Sequence, residues 1–184
     1  MRNLRVKEMS LCALFAALSA LLSQITIPIG PVPVNLTHIS IFMAGGLLGA
    51  RYAAVSQTVF VLLGAVGVPV FSGLSGGIGR ILGPTGGFII GYIACAFVAG
   101  RLAERYGRSV KKLPLAMIPG MLTSYIMGVI WFAYSTGTGA VPAVWVCVIP
   151  FLPGDCVKII LSSVLVSRLD PIVSRPGASP EPAA

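Results

Sequence analysis

Polar and apolar positions along this chain come in blocks and do not alternate at a short period. Almost unbroken apolar stretches cover residues 9–29, 36–50, 52–69, 86–103, 114–135 and 143–167, and most polar residues gather between them. Runs of about 20 residues match the hydrocarbon thickness of a bilayer crossed by an α-helix. A membrane β-barrel would show alternating segments of about ten residues, and the sequence contains none. The pattern predicts an all-α integral membrane protein with six transmembrane helices. The second stretch is short, and Gly45, Gly46 and Gly49 within it suit close helix packing.

Composition supports the same class. Of 184 residues, 56% are hydrophobic and 10% charged, against about 25% charged in a soluble domain. Mean hydropathy is +0.94. The basic residues give an orientation. With the N-terminus inside, Arg2, Arg5, Lys7, Arg51, Arg101, Arg105, Arg108, Lys111, Lys112, Arg168 and Arg175 all fall on the cytoplasmic side; they are 11 of the 13. Cytoplasmic flanks collect Lys and Arg in this way, so both termini are expected to be cytoplasmic. The net charge of +8 then reflects topology and contact with the anionic lipid bilayer, not nucleic acid. The first stretch is too long for a signal peptide and lacks a clear cleavage site. Residues 1–170 read as one membrane domain, and the Pro/Ala-rich segment 171–184 as a disordered cytoplasmic tail.

Two basic residues break the trend, and both invite a functional reading. Lys158 lies inside the last stretch, in "FLPGDCVKII", three residues after Asp155 and therefore on the same helix face. Pro153 and Gly154 just before them mark a helix start or break. Ionisable groups at membrane depth are costly and default to functional sites. A purely structural ion pair is the alternative, weakened because desolvation of a buried pair can exceed its Coulombic gain. Arg80 is the second exception, on the outer side within "SGGIGRILGPTGG". That glycine run lacks the GxxxxGK[ST] pattern of a phosphate loop. It reads as a packed outer loop forming a pocket wall. If Asp155 and Lys158 neutralise each other, Arg80 leaves one positive charge in excess, which suits a ligand with one carboxylate.

Other polar groups could line the same cavity. Pro28, Pro31 and Pro33 stiffen the first outer loop, and Asn35, Thr37 and His38 follow it. Each can hydrogen-bond a ligand; Asn35 or Thr37 could equally cap a helix. Gln57 and Tyr92 lie in apolar stretches, where such groups meet either ligand or a neighbouring helix. Phe71, Tyr92 and Trp145 could supply apolar wall. The candidate substrate-binding set is Asp155, Lys158, Arg80, Asn35, Tyr92 and Gln57. In the first stretch, Ala13, Ala16, Ala17 and Ala20 form a strip without bulk, fit for internal packing or for docking a partner subunit. Cys12, Cys95, Cys147 and Cys156 are isolated and His38 is the single histidine. No metal site, cofactor or catalytic constellation is expected.

The stretches "GPVPVNLTHISIFMAGGLLGAR", "LLGAVGVPVFSGLSGGIGRILGPTGGFIIGY" and "PFLPGDCVKII" resemble the biotin-specific substrate-binding (S) components of energy-coupling factor (ECF) transporters, the BioY family. The resemblance runs from about residue 9 to 168. It implies a high-affinity biotin-binding subunit without enzymatic activity, in a bacterial cell membrane. The implied partners are a transmembrane coupling (T) component and two ABC-type ATPases. It also places Asp155 and Lys158 at the ligand, and Ala13, Ala16, Ala17 and Ala20 at the T component. Many relatives carry other residues where this chain has Asn35 and His38, and the Arg80 position varies. A competing reading is a stand-alone carrier or facilitator in which Asp155 relays a proton. A lipid-modifying enzyme or a purely structural subunit fits less well, for want of a reactive cluster in the first case and of a use for Asp155 and Lys158 in the second.

Overall fold

The computed structural model describes residues 2–27 and 32–173, and only the backbone of residues 2–5. Pro28, Pro31, Arg175 and the tail from residue 174 onward, and the side chains of Arg2 and Arg5, lie outside the described set. The described residues form seven helices and one short hairpin: α1 (Arg2–Gln24), β1 (Thr26–Ile27), β2 (Val34–Asn35), α2 (Thr37–Ala65), α3 (Ile78–Leu82), α4 (Gly86–Tyr106), α5 (Leu113–Thr136), α6 (Ala140–Cys147) and α7 (Leu152–Val173). β1 and β2 pair antiparallel, Thr26 opposite Asn35 and Ile27 opposite Val34. Helices satisfy every interior backbone group within the segment, which is the requirement that a bilayer imposes.

α1, α2, α4 and α5 are each long and apolar enough to cross a membrane, and α6 and α7, bent by 54° across a break of at most four residues, make a fifth candidate span as a pair. α2 hides a further boundary. Gly49 inside it has φ 79° and ψ 176°, outside helical space and in a region that L side chains rarely enter. Residues on its two sides meet the same neighbours. Ser19 of α1 donates to Ser40 at 3.0 Å and accepts from Gln57 Nε2 at 3.1 Å. Tyr92 of α4 lies 5.3 Å from the His38 ring and 6.4 Å from the Phe60 ring. The limbs 37–48 and 50–65 therefore lie side by side, folded back at Gly49, two residues before the turn expected at Arg51. The second limb is capped from α4: Glu104 Oε1 accepts the Ala50 N–H at 3.0 Å, placing an anion at a helix N-terminus.

The helices pack through small residues. Gly45 backs onto Ala96, Ala99 and Gly100 of α4, close approach in the manner of membrane helix pairs. Phe42, Phe60, Ile41, Leu113 and Met117 fill the interior and are fully buried. Charges collect at one end, where Lys7 Nζ donates to the Val173 carbonyl at 2.8 Å and Arg108 pairs with Asp170 at 2.6 Å. The Gly49 turn and Glu104 sit there too. The hairpin, the 66–85 connection and α3 lie at the opposite end.

Several boundaries need correction. Residues 25–27 of the first stretch lie beyond α1, which ends at Gln24, residues 66–69 of the third lie beyond the helix that ends at Ala65, and the last stretch is broken between Cys147 and Leu152. Residues 171–173, assigned to the tail, belong to α7. The outer glycine run is not all loop, because α3 forms within it.

Candidate functional site

Asp155 and Lys158 sit in the first two turns of α7, both on its inward face. The break at 148–151 and Pro153 in the first turn allow a helix to begin here, because an initial turn needs no internal partner for its N–H groups. Asp155 is 1% exposed and Lys158 5%. Lys158 Nζ donates to Asp155 Oδ1 at 2.7 Å. The Tyr125 hydroxyl, from α5, donates to Asp155 Oδ2. Around this pair lie His38, Val32, Pro33, Asn35, Phe88, Tyr92, Cys147 and Phe151.

Val32, Pro33, Asn35, Phe88 and Tyr92 also line a second chamber. The two chambers thus share a wall and make one cleft. Its outer half is bounded by Arg80, Ser72, Thr85, Phe60, Phe71 and Ile89. Arg80 leans on the 71–75 turn, with Nε donating to Ser75 Oγ at 3.0 Å and Nη2 to the Ser72 carbonyl at 3.4 Å. Asn35 Nδ2 donates to Ser72 Oγ at 2.8 Å, and Asn35 Oδ1 accepts the Thr37 N–H at 3.2 Å. The cleft is polar at both ends and aromatic between them. Among the described residues its charged groups are one carboxylate, one ammonium and one guanidinium.

Two buried polar atoms on the lining have no protein partner, Thr37 Oγ1 and His38 Nε2. His38 is wedged between Phe42, 5.8 Å away, and the edge of Tyr92. Buried polar groups are normally hydrogen-bonded, so an orphaned pair on a cleft wall suits a bound polar ligand.

The glycine run shapes the outer wall. A Cβ on Gly86 would lie 1.6 Å from the Ile81 carbonyl oxygen, so only glycine lets α3 fold onto the start of α4. Trp131 of α5 clamps the same stretch, its Nε1 donating to the Gly83 carbonyl at 2.9 Å.

The structure brings together Asp155, Lys158, Arg80, Asn35 and Tyr92 from the expected set. Gln57 stays apart: it is fully buried, and its Nε2 donates to Ser19 at 3.1 Å in the seam between α1 and α2. Phe71 lines the cleft as expected, whereas Trp145 is 65% exposed and is not part of the wall. The alanine strip divides. Ala16 is buried and Ala20 packs against the core, so they hold α1 to the bundle; Ala13 and Ala17 face outward. Tyr125, Ser72, Thr85, Phe88 and Phe151 were not singled out in the sequence. Tyr125 carried a usable signal, a phenol in an apolar stretch.

A family model described as the BioY family matches residues 1–175. The chain belongs to the BioY family. Relatives in that family include the probable biotin transporter BioY of Pyrococcus horikoshii, 40% identical over 166 residues that cover 90% of this chain and 98% of that protein. The biotin transporter BioY of Rhizobium etli is 37% identical, covering 86% of this chain and 90% of that protein. That of Lactococcus lactis subsp. cremoris is 33% identical, covering 91% and 92%. Among solved structures, the S-component for biotin from an ECF-type ABC transporter superposes with a TM-score of 0.85 at 32% identity, covering 92% of this chain and 93% of that one. BioY-family membership and the apolar helices together make this a multi-pass membrane protein.

Proposed function

We propose that this chain is the biotin-binding S component of an ECF-type transporter, taking biotin from outside and delivering it through a T component driven by two ABC-type ATPases. The observation that carries the reading is the cleft with two polar ends and an aromatic middle. Biotin has the matching order of groups: a ureido ring with two N–H donors and a carbonyl, an apolar sulfur ring, and a valerate carboxylate.

The inner pair has capacity left for the ureido ring. A carboxylate accepts at about four lone-pair sites and an ammonium donates three hydrogens. Asp155 uses one site for Lys158 and one for Tyr125, and Lys158 uses one hydrogen. Asp155 is left able to accept ureido N–H groups while Lys158 donates to the ureido oxygen. Thr37 and His38 add their unsatisfied atoms to the same cleft. Arg80, at the outer end, retains free guanidinium N–H groups for the carboxylate. One net positive charge then meets one negative charge. Phe60, Phe71 and Phe88 hold the sulfur ring and alkyl chain by apolar burial.

The topology proposed is six crossings with both termini cytoplasmic. The two limbs of α2 count separately and α6–α7 is one broken crossing, with its irregular backbone beside the cleft where such backbone is tolerated. Ala13 and Ala17, with Leu14 and Leu21 also exposed on α1, form the face offered to the T component. Uptake of labelled biotin tests the coupling. Cells producing the chain with a T component and ATPases should accumulate biotin, and a hydrolysis-dead ATPase should abolish accumulation. Full uptake with the ATPases absent would instead favour the stand-alone carrier.

A further inference from the structure

Gln24, the last residue of α1, makes an unusual set of contacts for a helix end. Its Oε1 accepts the Leu74 N–H at 2.9 Å, and its Nε2 faces the Val70 and Phe71 carbonyls at 3.2 and 3.3 Å. The neighbouring Ser23 hydroxyl also donates to the Val70 carbonyl. Leu74 has φ 51°, the one positive φ outside glycine among the described residues. Such a conformation persists only where its surroundings impose it, and the Gln24 carboxamide is what meets the Leu74 N–H. The 71–75 turn is closed by reciprocal Phe71–Ser75 backbone bonds. The turn in turn supports the outer cleft: Ser72 and Ser75 hold Arg80, and Ser72 holds Asn35. Gln24 itself does not line the cleft.

We infer that Gln24 is a positioning residue for the ligand: by pinning the 70–75 turn it fixes Arg80 and Asn35 over the outer end of the cleft, and so sets how long the ligand stays. Loosening the turn opens the outer wall without removing any ligand contact, so dissociation accelerates more than association slows. The inference rests on the biotin-binding reading.

The test is the dissociation rate of radiolabelled biotin from the purified full chain. Gln24→Leu keeps the bulk and loses every hydrogen bond to the turn. Dissociation should quicken about tenfold, the effect of one or two net hydrogen bonds, with association changed less than about twofold on the same grounds. Gln24→Glu keeps the acceptor for Leu74 and should lie between the variant and the original; it decides the matter should Gln24→Leu not fold. In a background carrying Ser72→Ala and Ser75→Ala, where the turn's side-chain links to Asn35 and to Arg80 Nε are cut, Gln24→Leu should add less than it does alone. A purely structural helix-end role would lower the unfolding midpoint and leave the dissociation rate unchanged; that result, or full additivity with the double variant, overturns the inference. Failure of the unmutated chain to bind biotin would refute the proposed function instead.

Discussion

Asp155 and Lys158 are each other's counter-ion, and both are buried. Breaking such a pair by removing one member costs about 3–5 kcal/mol, while replacing both with apolar residues is often neutral. Lys158→Met should therefore lower the unfolding midpoint of the ligand-free protein markedly, and Asp155→Leu combined with Lys158→Met should recover most of it. Biotin binding should be lost in both, by about 100-fold or more, because charge-assisted hydrogen bonds are each worth about 1.5–3 kcal/mol. Recovery of binding along with stability in the double variant would make the pair structural only. At the outer end, Arg80→Ala should weaken biotin about 10–100-fold and remove most of the preference for biotin over its methyl ester. An unchanged preference would move the carboxylate away from Arg80. Asp155 and Lys158 were legible in the sequence because charge inside an apolar run is expensive, and Arg80 because it broke the basic-inside trend. Gln57 was misleading for a related reason. A buried amide advertises a polar partner without saying whether that partner is a ligand or, as here, Ser19.

At the scale of elements, the apolar blocks located the helices but not the way they end. Arg51 alone separates the stretches 36–50 and 52–69, and the fold-back itself lies two residues earlier, at Gly49, resting on glycine conformation and on Glu104, 55 positions along the chain. A Cβ at Gly49 would lie 2.1 Å from Glu104 Oε1 and adopt a disfavoured φ. Gly49→Ala should destabilise by about 1–3 kcal/mol, read as a lower unfolding midpoint in detergent; Glu104→Gln, which keeps the acceptor for Ala50, should cost less. The alanine strip of α1 shows the same limit of pattern reading. Spacing put four alanines together, but only packing reveals that Ala16 faces inward. Ala16→Leu should impair folding through overpacking. Ala13→Leu and Ala17→Leu should leave biotin binding by the isolated chain intact and reduce uptake only in the presence of the T component and ATPases. Reduced binding by the isolated outward-facing variants would argue against a docking face.

Over the whole molecule, the distribution of charge and the position of the cleft describe one polarity. Lys7, Arg101, Arg108 and Asp170 mark one end, and the cleft with Arg80 opens toward the other. On the proposed topology, six crossings with the basic end inside, the cleft mouth faces outward. Helix length alone gives four or five crossings; the sixth in the proposed topology comes from counting the limbs of α2 on either side of Gly49 separately. Single cysteines introduced in a chain lacking its native four should settle the orientation: Leu74→Cys should react with an impermeant maleimide in intact cells, and Lys111→Cys only after lysis. The reverse pattern would invert the topology. The most direct measurement of the central claim is calorimetric titration of the ligand-stripped, detergent-solubilised protein with biotin, alongside Lys158→Ala. The account predicts tight one-to-one binding by the unmutated chain and a loss of about 100-fold or more in the variant. A folded protein that takes up no biotin, or a Lys158→Ala variant that binds it equally well, would contradict it.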